Sequence, residues 1–457
     1  MFNISDSIYN QILERLLSHA GNFADIYAEE EELFSFVIED NKVKTIKTGV
    51  SKGINLRLIN KEKTFCASTN DLSEANLLRL AQNISDTQNA EKNSDSKRAV
   101  ITKLEDKQKF KNLDYYQDII NSFSQSSKRI ISFSDLICQA TLNYFTSLKK
   151  VLMINSLGEC CHDLREYSRY VVNVVAKDGE VTQTAYEGPG ITGKDDIFKL
   201  YPLEETADKV INRALLMLKA KEAPTGKQAV VLLGEAGGTM IHEACGHALE
   251  ADFIYKGTSI FNNKLGQQIA ADCVTVIDDA TQQGIYGSYK YDDEGVPAGK
   301  TVLIENGTLK GYLTDRLNAS LLGLKLTGNG RRESYESKPV PRMSNTFIEN
   351  TTNSKDQIID SVNEGILVKR MGGGQVNITN GEFIFEISEG YKIEKGKIAY
   401  PVRGASLIGS GPQVLMDIEA IANDKVFIPG VCGKYDHVPV GDAQPTLKIK
   451  EMTIGGR

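Results

Sequence analysis

The residues with the greatest chemical potential in this chain lie close together. His242, Glu243, Cys245 and His247 share one six-residue window, His242-Glu243-Ala244-Cys245-Gly246-His247, in a sequence with only five histidines. Imidazole is a good zinc ligand, and a carboxylate beside a metal-activated water is a good general base. The familiar spacing for that chemistry, His-Glu-x-x-His, puts both rings on one helix face, about 40° apart. Here one extra residue intervenes, and on an ideal α-helix His242 and His247 diverge by about 140°. Chelation by both rings therefore predicts a deformed helix within 242–247. A π turn makes i+5 behave as i+4. Alternatively the helix loosens at Gly246, which adopts backbone angles other residues resist.

A catalytic metal also needs a third protein ligand and an open position. Glu250 and Asp252 are near in sequence, but read more simply as a solvated helix face. Cys245 reads as a small core residue. Cys432 lies in the glycine-flanked turn Pro429-Gly430-Val431-Cys432-Gly433, whose backbone can approach a metal, and His437 belongs to the same segment. The residue pattern alone leaves the choice among these open. His19 and His162 read as structural or surface residues.

The window must be positioned by its surroundings. Val230–Leu233 reads as a buried strand, Gly237-Gly238 as a turn, and Thr239 as the cap of the helix carrying the histidines. Upstream, residues 6–20 read as an amphipathic helix stopped by Gly21. Residues 42–59 read as strands, with Ile54, Leu56 and Leu58 alternating with Asn55 and Arg57 in the period of a half-buried sheet. Ser73 caps a second helix carrying Leu77, Leu78, Ala81 and Ile84. Asp86–Arg98 is polar and reads as a linker. A second mixed section spans about 113–221, with a β-type run at Val171–Ala176 and a long helix near 204–220. Beyond Pro224–Gly226 the texture becomes strand and turn. Asn306-Gly307 and Asn380-Gly381 are strong hairpin signals, and Lys395-Gly396 a weaker one. The expected fold is α+β, with N-terminal sections at 1–98 and 99–223 followed by a large β-rich domain at 224–457 that carries the metal site.

Composition narrows the function classes. The chain has 457 residues, a hydrophobic fraction of 41% and a net charge of −7. The acidic balance argues against nucleic-acid binding. No apolar run approaches the roughly 20 residues a membrane span needs, and Met1–Asn10 lacks the pattern of a secretory signal. Seven scattered cysteines make a poor disulfide framework and point to reduced thiols in a cytoplasm.

Ile241-His242-Glu243-Ala244-Cys245-Gly246-His247-Ala248-Leu249-Glu250-Ala251 resembles the signature of the TldD/PmbA metalloprotease family, in its TldD branch. Matching segments continue through Gly311–Arg316, Thr327–Arg332, Pro341–Thr346, Asn380–Phe383, Pro401–Ala405 and Pro429–Gly433. Looser matches lie at Gly53–Arg57 and Glu187–Gly190. The resemblance implies that His242, His247 and Cys432 hold the metal and that Glu243 is the catalytic base. It implies zinc, with iron an alternative. It further implies a peptidase for unfolded or unstructured peptides, working as a homodimer or with a metal-free PmbA-type sister subunit. Three rivals fit less well. A base deaminase needs His-x-Glu and a Cys-x-x-Cys that is absent. A non-enzymatic peptide-binding subunit has no use for all four chemical residues. The glycine runs at Gly372-Gly373-Gly374 and Gly328-Asn329-Gly330 lack phosphate-loop spacing.

Overall fold

The computed structural model describes residues 2, 4–88, 96–101, 110–111, 113–193, 195–377 and 379–456. Of the polar linker expected at Asp86–Arg98, residues 89–95 lie outside these.

The N-terminal half is built on one antiparallel sheet. Its strands run in the order Lys63–Thr69, Lys42–Asn60, Phe23–Glu39, Ile137–Asn155, Cys160–Asp178 and Val181–Glu187, and Gly190–Thr192 adds to Cys160–Asp178. The sections before and after residue 98 share this sheet, in a register running from Asp25↔Asn155 to Glu39↔Thr141. Helices Asp6–Leu16 and Glu74–Asp86 bury one end of the sheet through Ile12, Leu13, Leu77 and Ala81. Helices Leu113–Ser132 and Leu203–Leu218 bury the other end over Phe34, Phe36, Leu142 and Tyr170. The first helix stops at Leu16, short of the expected residue 20, and Ser73 starts the second without a side-chain cap bond. The strands exceed expectation: Val171–Ala176 is part of a 19-residue strand. Lys42–Asn60 is also not half-buried in its second half, because Asn55 and Arg57 are as buried as Ile54, Leu56 and Leu58. Their side chains face the C-terminal half: Asn55 donates to Tyr335 O, and Arg57 meets Glu294.

In the C-terminal half, Glu364–Val376, Gly226–Leu232, Leu447–Gly456, Ala405–Ser410 and Glu382–Glu394 pair in sequence, and Glu382–Glu394 pairs back to Glu364–Val376 to close a barrel. A six-stranded sheet lies against it, ordered Thr308–Leu309, Lys300–Glu305, Val276–Asp279, Asn345–Ile348, His437–Gln444 and Val426–Gly433. One apolar core joins the two and includes Met240, Ile241, Cys245 and Leu249. The hairpins fall where turn chemistry places them. Asn306-Gly307 has φ of 47° and 78°, and Lys395-Gly396 has 51° and 75°, the doubly positive pattern of a tight hairpin turn. Among the described residues no helix is long and apolar enough to cross a membrane.

Candidate metal centre

The strand Gly226–Leu232 delivers the chain through a short turn to a helix that starts at Thr239. Thr239 is the first helical residue, not its cap; Gly238 holds the cap position. A Cβ on Gly238 would collide with the backbone at Asp442–Ala443, so a glycine there lets the helix start lie directly on the strand that carries Asp442. The helix then deforms as the histidine spacing requires: His242–Gly246 forms a π-helix, followed by a tight turn at His247–Leu249. Gly246 matters for space and not for backbone freedom. Its φ of −54° is ordinary helix, while a Cβ would run into Met343 Sδ.

Through the π turn both imidazoles face one point, with ring centroids 4.9 Å apart and planes at 87°. Cys432 reaches the same point from the strand Val426–Gly433. Its Sγ lies 3.2 Å from His242 Nε2 and 3.3 Å from His247 Nε2. The donor atoms of the three residues lie within 4.8 Å of one another, and all three residues are buried. Each ring is held from behind. His242 Nδ1 sits 2.7 Å from Asp442 Oδ1, and His247 Nδ1 sits 3.1 Å from Glu250 Oε2. A carboxylate at Nδ1 fixes the hydrogen there and leaves the Nε2 lone pair for a metal.

Glu250 is therefore not solvated helix face. It is fully buried, where the backbone leaves the helical region at φ −75° and ψ 126° and turns the side chain back onto His247. Asp252 is buried too. Lys434 joins them, with Nζ 3.0 Å from Glu250 and 2.6 Å from Asp252. Arg342 donates from Nη2 to Cys432 O at 2.5 Å and from Nη1 to Asp436 at 2.6 Å, anchoring the backbone of the thiol. Asp442, Lys434 and Arg342 were not marked as site residues by the sequence, and Glu250 was weighed there only as a ligand and set aside. Lys434 stands two residues from Cys432, but nothing in its own type marks it.

The charges are mutually arranged. Burial alone would raise the Cys432 thiol, yet His242 and His247 outweigh it and bring the pKa down to about 5. Burial likewise opposes ionisation of Glu250, but Lys434 and then His247 bring it down to about 2. Glu243 differs. Burial pushes its carboxyl up, against the pull of His242 and His247. It lines the same cleft of about 610 Å³ as the three donors, together with Phe253, Gly374 and Val440. Two imidazole nitrogens and a cysteine sulfur, backed by carboxylates and open on one side, fit a divalent metal with a position left for water or substrate. Cys245 is buried and donates to Ile241 O, as a core residue does. His19 lies by Ser85, and His437 is exposed near Glu333; neither belongs to the donor cluster.

Family profiles match nearly the whole chain: PmbA/TldA metallopeptidase domain 1 at residues 24–93, the central domain at 102–218 and the C-terminal domain at 225–456. A metalloprotease TldD homolog of Haemophilus influenzae is 36% identical, covering 96% of this chain and 94% of that protein. A zinc metalloprotease TldD homolog of Saccharolobus solfataricus is 32% identical over 62% of this chain and 63% of its own length. The crystal structure of TldE from Thermococcus kodakarensis superposes with a TM-score of 0.73 at 17% identity, covering 95% of this chain and 97% of that one, which shows the shared fold. The chain belongs to the TldD/PmbA metallopeptidase family, on its TldD side, and is a protease.

Proposed function

We propose that this protein is a zinc peptidase for unfolded peptides, with His242, His247 and Cys432 as ligands and Glu243 as general base. The observation that carries the reading is the convergence of those three donor atoms within 4.8 Å, beside a carboxylate that stays outside the set. A bound zinc supplies Lewis acidity at this point, polarising a scissile carbonyl and acidifying water. Glu243 takes the proton of the attacking water and returns it to the leaving amine. Its raised pKa makes it the stronger base for the first half of that shuttle. Asp442 and Glu250 keep the rings turned, and Arg342 keeps the Cys432 backbone in place.

The substrate lies along the strand of Cys432. Val426–Gly433 ends the six-stranded sheet and, among the described residues, pairs on one side only, with His437–Gln444. Pro439, which has no N–H, stands opposite Val431 in that register. The main-chain groups of Val431 therefore turn toward the open edge beside Cys432. An extended peptide adding there is held by its backbone, so many sequences bind and folded proteins do not. The chain works in the cytoplasm as a dimer, with itself or with a sister subunit of the PmbA type. None of the seven cysteines forms a disulfide, which suits that compartment.

The test is metal analysis of purified protein joined to casein degradation. One zinc per chain and degradation stopped by a chelator are expected. Cys432→Ser should lose most of its zinc while its circular dichroism stays that of the parent. Full zinc occupancy in that variant contradicts the ligand set.

A further inference from the structure

On the other side of Val431 from the metal cleft lies a second cavity, of about 700 Å³, whose lining overlaps that of the cleft only at this residue. That volume is within the range of small-molecule and peptide subsites. Its floor is the face of the N-terminal sheet turned away from helices Leu113–Ser132 and Leu203–Leu218. Four cross-strand rows form it in register, among them Leu33–Ser147–Tyr167 and Ser35–Phe145–Arg169. The C-terminal half supplies the roof through Tyr286, Arg331, Arg332 and the hairpin of Val431 and Pro439.

More cations than carboxylates line the cavity. Lys149 and Arg165 are neutralised, Lys149 at 3.3 Å from Glu29 and Arg165 at 3.0 Å from Asp163 and 2.8 Å from Asp293. The other three make no salt bridge among the described residues, although the buried Asp293 carboxylate also feels the charges of Arg332 and Arg331. Arg331 is buried and donates only to carbonyls, Met343 O at 2.5 Å and Pro439 O at 2.8 Å. Arg332 is buried and its guanidinium also donates only to carbonyls, of Ser337 and Asp293. Arg169 rests over the Tyr286 ring at 5.9 Å, and its Nε is buried without a hydrogen-bond partner, as is Nε of Arg332. Against these stand two lining carboxylates, Glu31 and Glu333, and Glu31 is already 3.6 Å from Lys149. Low-dielectric walls concentrate such a field and select an anionic occupant. The aromatic rings among the arginines select an apolar body to carry it.

We infer that this cavity is a subsite for a peptide carboxylate flanked by apolar residues, with the Arg169 guanidinium as its partner. The inference rests on the peptidase reading, because the peptide enters from the metal cleft across Val431. The carboxylate is either an acidic side chain or the chain's own C terminus, and Arg169 meets both in the same way.

The experiment measures binding, so it does not depend on turnover. A labelled, unstructured peptide with one glutamate and a free C terminus is titrated into the Glu243→Gln protein by fluorescence anisotropy. One twin carries Gln for Glu and another a C-terminal amide. One twin should bind roughly tenfold more weakly than the parent peptide, and which one identifies the source of the carboxylate. Adding Arg169→Met should remove that difference by weakening the carboxylate peptide alone. Arg169→Lys should restore part of it. Equal affinity of all three peptides, or equal weakening of all three by Arg169→Met, overturns the inference. So does a change in oligomeric mass without change in discrimination, which makes the face a subunit contact. Failure of the peptidase reading shows separately, as metal-loaded parent protein that leaves casein intact while still discriminating the peptides.

Discussion

Arg57 in the N-terminal sheet and His242 in the π turn are both buried and each leans on an aspartate, but their remaining hydrogen-bonding capacity is used differently. Arg57 donates from Nε to Asp25 at 3.0 Å and from Nη1 to Glu294 at 2.6 Å, so a carboxylate meets its charge from each half of the molecule. Arg165, Asp163 and Asp293 repeat the pattern nearby. His242 spends Nδ1 on Asp442 and aims Nε2 at the point shared with His247 and Cys432. At the junction Arg57 and Arg165 each meet a carboxylate from both halves of the molecule and hold the two in place. The cluster at His242 and His247 has its rings held from the outer side and leaves the inner side open, as the proposed metal centre requires. Completeness of pairing, not burial, separates the structural cluster from the chemical one.

The largest break in that comparison comes from Arg57→Met. It leaves Asp25 and Glu294 as buried carboxylates without their cation, and should cost about 3–5 kcal/mol of stability in denaturant unfolding. Zinc bound per folded chain should stay at the parent value. Loss of zinc from the folded variant would show that the two clusters are one. Next is Glu250→Gln, which keeps a hydrogen-bond acceptor for His247 but removes its charge. Zinc affinity by chelator competition should fall about 10–100-fold. Unchanged affinity would reduce Glu250 to packing.

The smallest effect concerns pH. Asp315 is buried next to the junction, and burial first, then Glu294, pushes its carboxyl pKa up. A carboxyl with a raised folded-state pKa binds its proton more tightly in the native state than in the unfolded chain. Its contribution to stability therefore declines as pH rises above about 4 toward the folded pKa. Asp315→Asn should track the parent near the acid end of that range and gain on it toward neutrality, in urea midpoints at a series of pH values. A constant offset across the series contradicts the assignment.

What could be read from the sequence was whatever is encoded locally. The His-to-His step of five required a deformed helix because no straight helix brings both rings together, and of the two deformations open to it the π turn is the one found; Asn306-Gly307 specified its hairpin through the two positive φ values. The backing carboxylates were hidden for a physical reason. Glu250 has the composition of a wet helix face until the chain leaves the helix at that residue. Asp442 reaches His242 only because the Gly238 turn lies on its strand. Arg57 looked like the polar side of a half-buried strand because its partner Glu294 is 237 residues away. Alternation along a strand reveals one buried face, and burial of the second face by another domain leaves no periodic mark.

The central claim, a metal held by three residues with a separate carboxylate as base, is tested most directly by Glu243→Gln, with zinc content and casein hydrolysis measured on the same preparation. The amide keeps the size of the side chain but cannot accept the proton. Zinc should remain at one per chain while hydrolysis falls by about 10²–10⁴. A variant that keeps its zinc and hydrolyses casein at the parent rate would contradict the account, and one that loses zinc in proportion to activity would move Glu243 from base to metal support.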